Sequence, residues 1–407
     1  MSGSSTAART ARAEDRPDDV VVVGARRTPS GRLLGQMSSI SATDLGAMAI
    51  KGALDAGGID PGVVESVVLG QVLQAGAGQN PAKQAALGAG VPAGAHTVTV
   101  NKVCLSGLTA IIDAARLLRC GEAEVVVAGG MESMSRAPHL LPDLRAGKSY
   151  GASGVVDHMA FDGLTAADLG IPMGELSEQY AGRYPVTRRE QDEFAVDSHR
   201  RAHQAWEQGI LAREVVPVVV RGRKGDVVVE RDEGLRPESR VEDLARLRPA
   251  FTPDGGITAA NASAICDGAA AVVITTRERA EREWWPVMAT VRACGQVAGP
   301  DASLQAQPAR AIAQALERQG WVVDDLDLVE INEAFAAVVI HSARELGVGL
   351  EKVNKCGGGI SIGHPIGASG GRLAVHLAHQ IANGRARRGA IGLCGGGGQG
   401  EALLLEA

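Results

Sequence analysis

Three stretches of this chain recur at nearly one spacing, and that repetition constrains its architecture more than any other feature. Ala53-Leu54, Gly58 and Val67 match Ala315-Leu316, Gly320 and Val329 at an offset of 262 (320 − 58). Cys104 and the helix predicted after it match His364 and its following helix at 260 (364 − 104). The apolar run Val125–Ala128 before Gly129-Gly130 matches Ala390–Leu393 before Cys394-Gly395 at 265 (390 − 125). Such spacing argues for an internal duplication, two similar halves in one chain. The plainer alternative is that all helix–strand units look alike.

Within each half, short runs that are apolar on both faces alternate with helical segments. Asp19-Val20-Val21-Val22-Val23-Gly24 reads as a buried strand. It is followed by a helix over Ala42–Ala56 with Gly57-Gly58 as its stop, then a strand over Val63–Leu69. A helix over Leu105–Arg119 and the strand Val125–Ala128 follow. This pattern predicts an α/β fold whose sheet is covered by helices. Between the halves, residues 137–264 hold proline-, tyrosine- and charge-rich loops and a polar helix over Arg188–Gln208. That stretch is too long for a connection and is expected to be an inserted loop domain carrying specificity.

Composition excludes several functions. At 407 residues and roughly 150 per domain, two to three domains are expected. The net charge of −6 argues against a general nucleic-acid or acidic-membrane surface. Aromatic side chains are scarce, so stacking platforms for bases are not expected, and no apolar run has the length of a membrane span. The six cysteines form no CxxC pair, which leaves a zinc ribbon or other metal site unsupported. Residues 1–19 lack a signal-peptide core and read as a disordered tail, so a cytoplasmic protein with reduced thiols is expected.

Three positions suit covalent chemistry. Cys104, in Asn101-Lys102-Val103-Cys104-Leu105-Ser106-Gly107, is predicted at the start of a helix, where free N–H groups favour a thiolate. Read alone, such a cysteine is more often a small buried apolar residue. His364, in Gly363-His364-Pro365-Ile366-Gly367, takes the corresponding place in the second half, suited to a neutral base. Cys394 opens Gly395-Gly396-Gly397-Gly398-Gln399-Gly400, a turn rich in bare N–H groups suited to an oxyanion hole. Asn332-Glu333-Ala334-Phe335 follows the strand Leu328–Ile331, at the strand end where α/β folds gather binding residues.

Other patterns fail on context. Gly395-x-Gly397-x-x-Gly400 has too little chain after it for a dinucleotide-binding unit. Gly367-x-Ser369-x-Gly371 lacks the strand–turn–helix setting of a serine nucleophile. The pairs His199/His203 and His376/His379 have no third ligand nearby and read as exposed polar faces.

Taken together, the segments around Cys104, Asn332, His364 and Cys394, with Gly129–Met134 and Thr258–Ser263, resemble the thiolase family over residues 20–407, and most closely its acetoacetyl-CoA branch. The resemblance implies a duplicated five-layer α/β/α/β/α fold. Its halves would span 20–136 plus 265–287 and 288–407, around a loop domain at 137–264. It implies a homotetramer built from dimers, with CoA thioesters as substrates and no permanently bound cofactor. Cys104 would be the acylated nucleophile, His364 its base and an oxyanion-hole group, and Cys394 the acid/base. Asn332 would position an oxyanion-hole water, and Gly396 would supply an N–H. Arg236, Ser263, Phe335 and Met173 would contact substrate.

The chain departs from the family pattern at Pro172, Ala264, Cys356 and Leu304–Pro308, which puts the acyl pocket and CoA contacts in question. Alternatives are a thiolase of longer chain range, another condensing enzyme, or a non-catalytic acyl-CoA-binding homologue. The cysteine at 394, where ketosynthases have a second histidine, argues against the ketosynthase branch.

Overall fold

The computed structural model describes residues 15–407 apart from Lys224. The first half runs β1 (Val20–Arg27), α1 (Ala42–Gly57), β2 (Ser66–Gly70), α2 (Pro81–Gly88), β3 (His96–Val100), α3 (Ser106–Arg119) and β4 (Val125–Ser133). The intervening segment contains α4 (Met173–Gln179) and α5 (Arg188–Glu207). Then follow β5 (Cys266–Thr276), β6 (Ala289–Ala298), α6 (Gln307–Gln319), β7 (Leu328–Ile331), α7 (Ala336–Leu346), α8 (Ser369–Ala382), β8 (Arg388–Gly395) and β9 (Gln399–Glu406).

The strand order β3-β2-β4-β5-β1 of one half is answered by β7-β8-β9-β6 in the other. In each half the first of the paired strands (β2–β4, β7–β8) is parallel and the next two pairings are antiparallel. Even the edge strand β3 has a counterpart, the single parallel bridge of Val329 to Val353. The duplication is therefore one of topology. β1 and β6 join the two sheets through only two residue pairs, Val21↔Thr290 and Val22↔Ala289.

Side-chain alternation sorts the core into layers. Val20 and Val22 of β1 face the central helices α3 and α8, while Val21 and Val23 face α1 and α2. The second sheet repeats this, with α6 and α7 covering its far face through Ile312, Leu316, Val339 and Ile340. The result is the expected five layers, α/β/α/β/α. The outer helices end alike: Gly58 after α1 and Gly320 after α6 both take left-handed φ (65° and 72°), which closes the last helical turn.

The central helices touch through glycine. A methyl on Gly370 would lie 2.3 Å from the backbone nitrogen of Leu108. One on Gly130 would lie 2.0 Å from the carbonyl of Gly367. Gly129-Gly130 is thus not the strand terminus the sequence suggested: β4 runs through both to Ser133, with the α8 lead-in pressing on Gly130 and the Ala270 carbonyl of β5 2.0 Å from a methyl on Gly129.

Other boundaries also move. The strand expected from Val63 begins at Ser66, because Asp60 Oδ1 accepts the Gly62 N–H at 2.9 Å and starts a short 3₁₀ turn. Of the expected tail, residues 1–14 lie outside the described residues. Residues 15–19 are held to the body, where the Asp19 carbonyl accepts the Arg277 N–H and its carboxylate meets Arg292 at 3.1 Å. Among the described residues no helix is long and apolar enough to cross a membrane.

The histidine pairs are not exposed faces. His376 and His379 are buried because α8 is sandwiched between both sheets. His199 is buried and accepts the backbone N–H of Arg236 at 3.2 Å; only His203 is half-buried.

Candidate active site

Both central helices point their N-terminal ends at one place. Cys104 precedes α3 by two residues, in a turn where Val103 has φ 52°. A β-branched residue rarely adopts this conformation, at a cost of about 1–3 kcal/mol. Ser106 holds the turn: its hydroxyl accepts the Lys102 N–H at 2.8 Å and donates to the Val103 carbonyl at 2.6 Å. The thiol is thereby lifted out of the strand direction into a cavity.

His364 is not the strict counterpart of Cys104. The helices α3 and α8 begin 263 residues apart (369 − 106), so Gly367 takes that place and Pro365-Ile366-Gly367-Ala368 intervene between the histidine and its helix. The lead-in is fastened by Glu132, a fully buried carboxylate on β4. It accepts the backbone N–H groups of Val72, Leu73 and Gly367 at 3.0, 3.1 and 3.0 Å. Burial raises its pKa to about 7, against those three hydrogen bonds. Sequence reasoning did not single out Glu132; its only signal was a charge inside an otherwise apolar strand.

The imidazole of His364 has one defined tautomer. Ser369 Oγ donates to the Pro365 carbonyl at 2.9 Å, so it must accept from His364 Nδ1–H. Nε2 is left as an acceptor, and Asn332 Nδ2 lies 3.3 Å from it. Burial, then the nearby Arg372 charge, lowers the His364 pKa to about 3. The ring is neutral. Ser369 is a second residue that the sequence pattern left unassigned.

Cys394 lies in β8, paired with Gly400 of β9, and Gly397 and Gly398 close the hairpin with φ of 76° and 63°. The glycine run expected as an N–H-rich turn is the tight turn of this hairpin. Loss of water raises both thiols: Cys104 to about 12, with the Glu132 charge adding to the rise and a hydrogen bond from its own backbone N–H opposing it, and Cys394 further. This corrects the expectation of a thiolate at Cys104. The helix proper starts only at Ser106, two residues beyond the thiol, and burial is the largest influence on that thiol.

Cys104, His364, Cys394 and Gly396 line one narrow cavity of about 60 Å³ with Ser263, Met173 and Phe335. It adjoins an apolar cavity of about 300 Å³ that shares His364, Ser263, Met173 and Phe335 and adds Pro172, Phe251 and Ala264. Phe251 meets Phe335 edge-on at 6.2 Å. Asn332 reaches the group through His364. Arg236 lines neither cavity and is exposed. Cys356 is buried away from the cavities, among Ala202, Trp206 and Ile362. Glu333 is occupied structurally, accepting from Asn354, Ser198 and the Ile360 N–H.

Comparison with known proteins agrees with this arrangement. Residues 20–278 match the thiolase N-terminal domain and residues 285–407 the thiolase C-terminal domain. A probable acetyl-CoA acetyltransferase of Mycolicibacterium smegmatis is 51% identical over 95% of this chain and 100% of its own. An acetyl-CoA acetyltransferase of Pseudomonas aeruginosa is 46% identical over 95% and 99%. The crystal structure of the Bacillus anthracis acetyl-CoA acetyltransferase superposes with a TM-score of 0.93 at 37% identity, covering 96% of this chain and 98% of the other. With both domains matched in register and the duplicated fold shared, the chain belongs to the thiolase family.

Proposed function

We propose that the protein is an acetyl-CoA C-acetyltransferase, joining two acetyl-CoA into acetoacetyl-CoA plus CoA and running the reverse thiolysis. One observation carries this reading: two thiols and a neutral imidazole meet at the narrow end of an apolar cavity. Covalent catalysis then splits a difficult carbon–carbon exchange into two acyl transfers.

In the first, Cys104 Sγ attacks the thioester carbonyl of acetyl-CoA and its proton passes to His364 Nε2. The carbon–sulfur bond to CoA breaks, and the departing sulfur takes the proton of Cys394. In the second, the Cys394 thiolate removes an α-proton from another acetyl-CoA. The resulting carbanion attacks the acetyl-Cys104 carbonyl, and the freed Cys104 sulfur recovers its proton from His364. All three groups end as they began. A water held by Asn332, together with His364, would face one thioester oxygen; the N–H groups of Cys104 and Gly396 would face the other.

The wide cavity suits pantetheine, with Ser263, Phe335 and Met173 along it, and Arg236, by its family position alone, would pack on the adenine outside. A longer-chain reading has one observation in its favour: Met173 also walls a third cavity of about 520 Å³. The protein is proposed to act in the cytoplasm as a tetramer of two dimers; the outer edge of β3, which ends the sheet among the described residues with Val98 52% exposed, offers a surface for pairing with one further copy.

The test is intact-mass and peptide analysis after incubation with acetyl-CoA, together with thiolysis of 3-ketoacyl-CoA esters of four to ten carbons. Acetylated Cys104 and fastest cleavage at four carbons are expected. An unmodified Cys104 with no turnover overturns the reading, and fastest cleavage at eight carbons moves it to the longer-chain branch.

A further inference from the structure

The fully buried carboxylate of Glu401 sits where the two halves meet, on β9 opposite Leu393 and beside the Cys394–Gly400 pair. Lys102 Nζ approaches its Oε1 to 2.6 Å, and Gln296 Nε2 of β6 donates to the same oxygen at 2.7 Å. Thr109 Oγ1, in the first turns of α3, donates to Oε2 at 2.7 Å. Gln296 is itself fixed by Arg116 at 2.6 Å. Oε1 thus accepts from two side chains and Oε2 from a third.

A buried ion pair seldom stabilises a fold more than apolar side chains of the same volume would. Its geometric effect here is specific. Lys102 is two residues before Cys104, at the base of the turn strained at Val103. Thr109 belongs to the helix that follows the thiol, and Glu401 belongs to the hairpin that carries Cys394 and Gly396. We propose that Glu401 is a positioning residue of the two-thiol centre: by gripping Lys102 and Thr109 it sets where Cys104 stands relative to Cys394 and Gly396. The inference rests on the two-thiol mechanism above, in which the acyl group on one sulfur must meet a proton carrier on the other.

The test compares the intact enzyme with Glu401→Gln, which keeps size and hydrogen bonding but releases the ammonium. Lys102→Met cuts the same link from the other side, should the first variant fail to fold. Both are expected to lower kcat for acetoacetyl-CoA thiolysis about tenfold to a hundredfold, with KM within about threefold, since displacement near the reacting atoms costs rate and Glu401 touches neither cavity. The double variant is expected to lose no more than the worse single one. Dibromobimane, a short bifunctional thiol reagent, gives a readout independent of turnover: the yield of the Cys104–Cys394 cross-link, scored by peptide mass, is expected to fall in both variants. Wild-type kcat, or a kcat loss with unchanged cross-linking, overturns the inference. If wild-type Cys104 were never acetylated, the proposed function would fall while the cross-linking yield still decided the position claim.

Discussion

Ser369 fixes the chemistry of His364 although no substrate would reach it: its hydroxyl donates to the Pro365 carbonyl and so can only accept from Nδ1. Nε2 is left as the acceptor beside the thiol-lined cavity, with Asn332 Nδ2 at 3.3 Å from it. Ser369→Ala removes that constraint, and either nitrogen can then carry the proton. Removing the hydrogen-bond partner that orients a metal-ligating histidine typically costs about 10–100-fold, and a similar scale is taken for this ring. We expect such a loss in kcat with KM for acetyl-CoA little changed; steady-state kinetics with retained wild-type kcat would show that Asn332 alone suffices.

The two thiols are expected to separate by function. Cys104→Ala abolishes both exchange and condensation, because no acyl-enzyme forms. Cys394→Ala still takes up acetyl on Cys104 but loses carbon–carbon bond formation by at least about a hundredfold, the scale of a general acid/base. Intact mass after acetyl-CoA and the rate of acetoacetyl-CoA formation, both on the Cys394 variant, decide this. An unacetylated variant would reverse the assignment.

The pH dependence follows from burial. Because the Cys104 thiol is raised and His364 is lowered, the free enzyme holds a neutral pair, not a thiolate–imidazolium pair. Alkylation of Cys104 by iodoacetamide should therefore keep rising with pH through 9, as more thiolate forms. A plateau below pH 7 would contradict the neutral pair. For stability, His364 binds a proton less readily folded than unfolded. Its contribution is present above the unfolded value of 6.5 and is lost as pH falls toward about 3, and His364→Gln should flatten the chemical-denaturation profile over that window.

Gly370→Ala tests the helix contact that brings the site together. Its methyl would meet the Leu108 backbone at 2.3 Å, and neither central helix can retreat between two sheets. Overpacking of this kind costs about 1–3 kcal/mol. A fall in Tm with a larger loss of activity is expected, measured by calorimetry and thiolysis. An unchanged Tm would show that α3 and α8 have slack.

Much of this molecule was written in local pattern. The uniform offset around Gly58 and Gly320 announced two halves of like topology, because a helix stop and the strand after it need the same residues each time. The apolar runs of β1, β4 and β7 announced buried strands. The identities of Cys104, His364 and Cys394 stood out through their glycine-rich surroundings and their likeness to one family. What needed the fold was everything set by contact between distant segments. The motifs that contain Glu132 and Ser369 gave neither residue a role; each matters for the backbone or ring placed against it. Gly129-Gly130 reads as a strand end until the carbonyl of Gly367 is seen pressing on it. The protonation of Cys104 went the other way from the helix-end argument, because the field of a helix end is a local property that the chain order reveals. Desolvation depends on how many layers close over a side chain, and only the packing of the two halves decides that.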